Sequence, residues 1–378
     1  MPANLPLDRL VRKEVALGVV REIEPPTQHI GLQIAPFLPV ESDDVIFDYA
    51  KGLADGLAPA RAEDAESELA QKDDTFVGQG RAAVIDWSLK DHYTASDVSR
   101  YREALLIAEA TRDTLSLPLT AGRMIEGFDQ KVARDTARRR RKLDNRMEAL
   151  IMTALETGGI SYNDGKIKFT VDFGRPVGQQ NQAPAGGAFT ATTSDPINAI
   201  IVMQNFMFDT YGVRMTRAIT SRKVMNTLMN SDKFIARTGL VGNPSTENKI
   251  DPRYLLDGWG PTAAQAVVER ATGVSFQTYD AVYRTRAIGS NTIVNNRFFS
   301  DNKILFLPDL GDLDEVAGDL DIGFAKTLTS PHPMGNWSSG FYEWERETVD
   351  PWGRDVGTGI KAFPVFPFME YSYVMTAI

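Results

Sequence analysis

Apolar residues along this chain repeat at two spacings, every second residue or every third and fourth, and the changes between them mark the elements. Four prolines in REIEPPTQHIG and IAPFLPV deny a hydrogen-bond ladder and predict an extended arm, after a short helix over PLDRLVRKEVALGVV. Val45, Phe47 and Tyr49 alternate with polar residues and predict a strand over DVIFDYAKG, and TFVGQGRAAVIDWSLKDHYT predicts a second one. Between them LADGLAPARAEDAESELAQKDD is polar, acidic and alanine-rich, a loop tip. Two strands with so little periodic apolar support make a protruding hairpin rather than a core element.

The spacing then becomes helical. SDVSRYREALLIAEATRDTL predicts a helix ended by Pro118, and a second helix runs from about Ala121 to Thr157, stopped by Gly158 and Gly159. At 1.5 Å per residue it is about 55 Å long, well beyond the usual globular helix. GGISYNDGKIKFTVDFGRP predicts a hairpin with its turn at NDG, and VGQQNQAPAGGAFTATTS a polar linker. Asp195 before Pro196 is a strong helix start, since Asp caps and Pro pre-sets the first turn; that helix ends at Gly212. Short elements follow: a strand at RMTRAIT, a helix at SRKVMNTLMNSDKF, a helix at GPTAAQAVVERATG, and strands at VSFQTYD and NKILFLPD. The aromatic-rich tail GIKAFPVFPFMEYSYVMTAI predicts a terminal strand pair interrupted by Pro364 and Pro367.

The long helix carries five consecutive cations, Arg138 to Lys142. At about 100° per residue neighbours cannot share a face, so the arginines spread around the helix. Ile125, Val132, Leu143, Met147, Leu150 and Ala154 line one side, and Lys131, Arg134, Arg138, Lys142 and Arg146 form a second stripe. Asp135 is in reach of Arg138 and Arg139, and Asp144 of Arg140 and Arg141, pairs worth only a few tenths of a kcal/mol each. The stripe is a solvated face, or it meets an external anion: phosphates, or the acidic hairpin of a neighbour. Helix-turn-helix spacing, zinc modules and aromatic-interleaved basic strands are missing from the sequence, so any DNA contact is sequence-blind.

Charge and composition sharpen the picture. The 378 residues suffice for one large or two ordinary domains and carry a net charge of −9, which speaks against a dedicated nucleic-acid binder. From Glu41 to Asp74 eleven acids face three bases; from Lys131 to Glu148 eight bases face three acids. An acidic arm and a basic helix therefore share one chain. With no cysteine, thiolate metal sites, disulfides and cysteine nucleophiles are excluded, and His29, His92 and His332 are too scattered for a metal pair. No 18-residue apolar run predicts a membrane span, and the N-terminus lacks the apolar core of a signal peptide.

Catalytic motifs are equally thin. Phosphate-binding Gly-rich loops and the Gly-x-Ser-x-Gly elbow do not occur. PDLGDLDEVAGDLDIG, with Asp309, Asp312, Asp314, Asp319 and Asp321, has Ala317 where a calcium loop from Asp312 demands glycine. Glu343, Glu345 and Glu347 alternate along one strand face, as on a polar surface strand, and Ser338 in GNWSSG has only His332 near it in sequence.

The order of parts, a proline-broken arm, an acid-tipped hairpin, a long arginine-rich helix and its Leu-x-x-Gly stop, resembles the tailed-phage major capsid protein E family, whose type is the phage lambda capsid protein. Val171-Asp172-Phe173-Gly174-Arg175 matches that family's strand end; FFSDNKILFLPD is similar to its late strand and YSYVMTAI to its closing strand. The resemblance spans most of residues 30 to 378, and between about Met215 and Arg297 it lies in the order of elements alone. It implies an α+β chain with the Hong Kong 97 fold. The parts expected are an N-terminal arm (1–40), an extended loop hairpin (41–95), a peripheral domain (96–194) with the spine helix about 121–157, an axial domain (195–345), and C-terminal strands returning to the peripheral domain (346–378). The family's separate decoration proteins argue against a cross-link through Lys51 or Lys72 in the extended loop. With the sequence opening at Met1, no large N-terminal scaffolding segment is expected to have been removed.

The resulting expectation is a non-enzymatic major capsid protein of a tailed double-stranded DNA phage. It would assemble with itself into pentamers and hexamers of an icosahedral head, in the host bacterial cytoplasm, and remain in the virion. Packaged double-stranded DNA, bound without sequence specificity, and decoration, scaffolding and portal proteins are the partners implied; no cofactor, metal or membrane is. Acidic hairpin and basic helix give identical copies complementary patches. Phe47, Tyr49, Val84, Ile85 and Trp87 would supply the buried contact with a neighbour, and reversing Lys131, Arg134 and Arg138 to glutamate would impair shell closure or DNA retention. An encapsulin-like nanocompartment shares the fold and is the runner-up. A monomeric or dimeric enzyme or DNA-binding protein would need an active-site constellation that the sequence does not offer.

Overall fold

The structure, a computed structural model, describes residues 20–41, 44–50, 76–110, 119–165, 167–237, 263–286, 292–308 and 324–378. The first helix predicted, the acidic tip with Lys51 and Lys72, and the aspartate-rich stretch 309–323 lie outside the described residues, as do the side chains of 44–50 and 76–83. The elements begin with α1 (Gly31–Ile34), β1 (Phe37–Pro39), β2 (Asp44–Ala50), β3 (Phe76–Ala83), β4 (Ile85–Thr94), α2 (Ala95–Ala110) and α3 (Leu119–Thr157). Next come β5 (Gly159–Asn163), β6 (Lys168–Asp172), α4 (Pro196–Tyr211), β7 (Met215–Thr220), α5 (Arg222–Met229), α6 (Asp232–Arg237) and α7 (263–272). The chain closes with β8 (Ser275–Thr278), β9 (Val282–Arg286), β10 (Ile293–Arg297), β11 (Lys303–Pro308), β12 (Lys326–Thr329), β13 (Phe341–Val349), β14 (Trp352–Val365) and β15 (Tyr373–Thr376).

Two compact units share these elements. The first gathers residues Met1–Val45, Ala82–Glu148 and Thr327–Pro364. Its five-stranded sheet is centred on β14, with β13 antiparallel on one side (Phe341 opposite Ile360) and β4 antiparallel on the other (Trp87 opposite Ile360). Strand β1 runs parallel to β12, Phe37 opposite Thr327. Two glycines of β14 are there for space: a Cβ on Gly357 would overlap the Trp344 ring, and one on Gly359 the Tyr342 ring. Val132 of α3 packs with Tyr93, Val98 and Val356.

The second unit holds Ile46–Arg81, Ala149–Lys326 and Val365–Ile378. A four-stranded sheet in the order β15-β11-β7-β8 is antiparallel except where β7 meets β8, Arg217 opposite Ser275. Phe306, Ile304, Ala218 and Phe276 of that sheet share a core with Ile200, Met203 and Met207 of α4 and with Val224 and Leu228 of α5. Helix α4 begins as its sequence dictates: Asp195 accepts the Asn198 amide (3.1 Å), Pro196 opens the first turn, and Gly212 closes it at φ 70°. The chain from the last turn of α3 is tied down by Arg175, which is buried. Its guanidinium donates to the carbonyls of Leu155 (2.8 Å) and Glu156 (3.4 Å) and to Ser372 Oγ (2.7 Å), so a side chain from the VDFGR strand end caps the helix. Burial pulls its pKa down to about 9.

Three predicted elements differ. The second hairpin strand is two, parted at Val84: β3 pairs with β2, while β4 pairs with β14, because alternate β4 residues face α3. The C-terminal strands do not pair with each other; β14 and β15 enter different sheets, with Pro367 in the turn between them. SRKVMNTLMNSDKF breaks into α5 and α6, since Ser231 Oγ accepts the Phe234 amide (3.3 Å) and starts a new helix.

Candidate functional site

Antiparallel passage of α3 along β4 organises the basic run. Lys131 lies 5.6 Å over the Tyr93 ring, and the Tyr93 hydroxyl donates to Asp135 (3.3 Å). Asp91 meets Arg139 at 2.6 Å, and Arg146 stacks 5.4 Å over Trp87. Four helix residues advance about 6 Å. Two strand residues advance about 6.6 Å, so the two rows stay nearly in step.

The arginine run divides by direction. Arg139 turns into the first unit: beyond Asp91 it donates to Glu343 Oε1 (3.0 Å), Thr136 Oγ1 (2.8 Å) and Thr358 Oγ1 (2.9 Å). Burial raises the Glu343 carboxyl pKa, against the opposing pull of Arg139. Arg140 is equally buried, 3.2 Å over the Phe341 ring, with Nε on Asp144 Oδ1 (3.1 Å) and Nη1 on the Val20 carbonyl (3.3 Å). Burial pushes Asp144 up to about 6 although Arg140 opposes it, and lowers Arg140 to about 10. One turn on, Glu148 accepts the amides of Ile30 (3.1 Å) and Gly31 (3.0 Å), fastening the N-terminal arm to the helix.

Arg134, Arg138, Arg141, Lys142 and Arg146 remain exposed, Arg146 while lying over the Trp87 ring. Arg138 reaches Asp135 loosely at 3.6 Å. Of the five stripe residues predicted, Arg134, Arg138 and Lys142 thus face solvent together, while Lys131, bridged to Asp97 at 3.1 Å, and Arg146 turn their charges over β4 rings. Arg141 completes the patch and was not in the predicted stripe; its place 280° round from Lys131 puts it beside Arg134. Of the two buried arginines, Arg139 had a signal. Thr136 and Arg139 fall on the same three-and-four spacing as Val132, Leu143 and Met147, so that polar pair sits within the apolar stripe itself.

Of the five hairpin residues, Phe47 and Tyr49 lie on β2, outside the described side chains. Val84 is buried within its own chain, while Ile85 and Trp87 are half-buried on β4, with Trp87 Nε1 donating to the Ala362 carbonyl (3.2 Å). The surface-strand reading of Glu343, Glu345 and Glu347 is corrected: only Glu347 is exposed, Glu345 pairs with the buried Arg354 at 2.7 Å, and Glu343 is interior. Ser338 Oγ donates to the Gly335 carbonyl (2.8 Å) and His332 Nδ1 accepts the Met334 amide (3.2 Å), so both shape a turn. Among the described residues no helix is long and apolar enough to cross a membrane, and no three His, Asp or Glu side chains group as a metal site.

The fold is the Hong Kong 97 type of phage capsid proteins. It is shared with a phage-related protein from Bordetella bronchiseptica RB50, 13% identical, TM-score 0.51, covering 97% of each chain. A prophage protein described as a capsid protein, from Escherichia coli CFT073, aligns at TM-score 0.57 and 13% identity over 97% of this chain and 99% of that one. No curated protein matches the sequence. The family model for phage major capsid protein E matches residues 39–318. The chain belongs to that family and is a shell protein of a phage head.

Proposed function

We propose that this chain is the self-assembling subunit of an icosahedral head, packing as pentamers and hexamers around double-stranded DNA in a tailed phage. The family match over residues 39–318 carries this reading and favours a phage head over a nanocompartment. Its role is structural rather than catalytic. We infer assembly in the host bacterial cytoplasm, with scaffolding, portal and decoration proteins as partners. The domain plan drawn from the sequence stands as part of this proposal: arm 1–40, extended loop 41–95, peripheral domain 96–194, axial domain 195–345, and strands 346–378.

Self-association has support in the β2–β3 ribbon, which among the described residues pairs with no third strand. Two-stranded ribbons are marginal alone and need a surface to lie on. A neighbouring copy supplies that surface, and the exposed cations Arg134, Arg138, Arg141 and Lys142 of α3 meet the acid excess between Glu41 and Asp74. Phe47, Tyr49, Ile85 and Trp87 add apolar contact at the base of the loop.

Negative-stain microscopy and sedimentation of the purified chain test the proposal, with closed particles of uniform size expected. A monodisperse monomer at high concentration would refute it. Reversing Arg134, Arg138 and Lys142 to glutamate is expected to leave a folded subunit that no longer closes shells; normal particles from that variant would remove the patch from assembly.

A further inference from the structure

We propose that the cavity beside the start of α5, together with the β9–β10 ribbon, is a groove for the phosphodiester backbone of nucleic acid. The cavity holds about 740 Å³ and is lined by Arg222, Lys223 and Arg297 with the hydroxyls of Thr190 and Thr192 and the amide of Asn226. Guanidinium, ammonium, hydroxyl and amide donors are the set that binds phosphate oxygens without reading bases.

The ribbon extends this row of charge. Val282 stands opposite Arg297, Arg284 opposite Asn295, and Arg286 opposite Ile293, so Arg284, Arg286 and Arg297 share one face. All three are exposed. On the other face Tyr283 packs on the buried Phe298 with ring centroids 4.8 Å apart, while Thr285 and Val294 are exposed. The ribbon is thus anchored through its back at Tyr283, on the side away from the arginines.

Acids take up part of the charge and leave a surplus. Asp280 accepts Arg297 (2.8 Å) and the Arg222 backbone amide (3.1 Å), Asp301 pairs with Lys223 (3.2 Å), and Asp232 lines the cavity. Among the described residues the four cations Arg222, Lys223, Arg284 and Arg297 thus face the three acids Asp232, Asp280 and Asp301. The side chains of Arg222 and Arg284 have no ion pair among the described residues, which leaves two guanidinium groups for a ligand at the cavity and on the ribbon. Spacing of about 6.6 Å between alternate strand residues suits a polyanion with regularly repeated charge. Nucleic acid is the polyanion that a head shell encloses, so this inference rests on the proposed function.

The test measures binding of a fluorescent DNA duplex of arbitrary sequence to the full chain between about 50 and 200 mM salt. Arg222→Ala with Arg284→Ala is expected to weaken binding at least tenfold at the lower salt and to reduce the salt slope by about 2. Lysine at both positions should restore most of the slope. Unchanged affinity and slope in the alanine variant would overturn the proposal, and so would displacement of DNA by polyglutamate at equal charge concentration, which would mark an acidic protein segment as the occupant. Particle formation by the same samples is read separately in sedimentation. Its failure in the wild type would sink the shell reading, whereas assembled particles with unaltered DNA binding in the variant would sink the groove alone.

Discussion

Arg139 on α3 and Glu343 on β13 meet at 3.0 Å with side chains 3% and 6% exposed, 204 residues apart in sequence. An arginine from the most cationic stretch of the chain is thus an interior residue, held by Asp91, Thr136 and Thr358 as well. Desolvation of such a pair offsets most of its attraction, so what it contributes is position rather than net stability.

Removing Glu343 leaves the buried Arg139 with the half-exposed Asp91 as its remaining anion among the described residues. Glu343→Ala should therefore cost about 2–3 kcal/mol, the loss of a charged hydrogen-bond partner rather than of the whole compensation. The double variant Arg139→Met with Glu343→Leu should cost less than Glu343→Ala alone. Urea denaturation of the three proteins decides it: a loss below about 1 kcal/mol for Glu343→Ala would mean that water reaches the site.

Asp144 gives a pH dependence of unusual sign. Its folded pKa of about 6 lies above the ordinary 3.8, because burial disfavours the carboxylate more than Arg140 restores it. The folded chain then holds the proton more tightly than the unfolded one. The resulting stabilisation is fully present below about pH 3.8 and disappears as pH rises through about 6. Two pKa units bound the effect at about 3 kcal/mol. Asp144→Asn should flatten this part of the stability profile; profiles for the two proteins that stay parallel between about pH 4 and 8 would contradict the assignment.

Arg175 closes the end of α3 with a planar fork that lysine cannot reproduce. Arg175→Lys keeps the charge but loses the simultaneous hold on the Leu155 carbonyl and Ser372, and should cost about 2 kcal/mol. Thermal melts measure this, and a variant melting with the wild type would show the cap to be dispensable.

Glu148→Ala should free the arm without unfolding the body. Loss of a charged acceptor for two amides predicts exchange at Ile30 and Gly31 at least about tenfold faster, with the amides of β14 unchanged. Uniform acceleration through the first unit would instead identify Glu148 as part of the general core.

Local rules made much of this molecule legible. Asp195, Pro196 and Gly212 fix α4 by capping chemistry that needs no tertiary partner, and the NDG turn likewise sets the β5–β6 hairpin, with Gly165 at φ 82°. The exposed half of the basic patch followed from a helical wheel. Long-range pairing did not: nothing local to Val84 says that β4 leaves the hairpin to join β14, whose residues lie about 270 positions away in the chain. The spacing could mark Arg139 as interior, but its partners and those of Arg140 were hidden for the same reason, because Glu343, Thr358 and Phe341 come from the other end of the sequence.

The seam between β13 and β14 is unequal under mutation. Trp344 or Tyr342 can shrink and leave a hollow that costs stability yet keeps the strands in register. Growth at Gly357 or Gly359 has no such gentle form, since the added atom must evict a ring or prise two paired strands apart. Drift along this seam therefore has a preferred order: the aromatic residue yields first, and only afterwards is its glycine free to change.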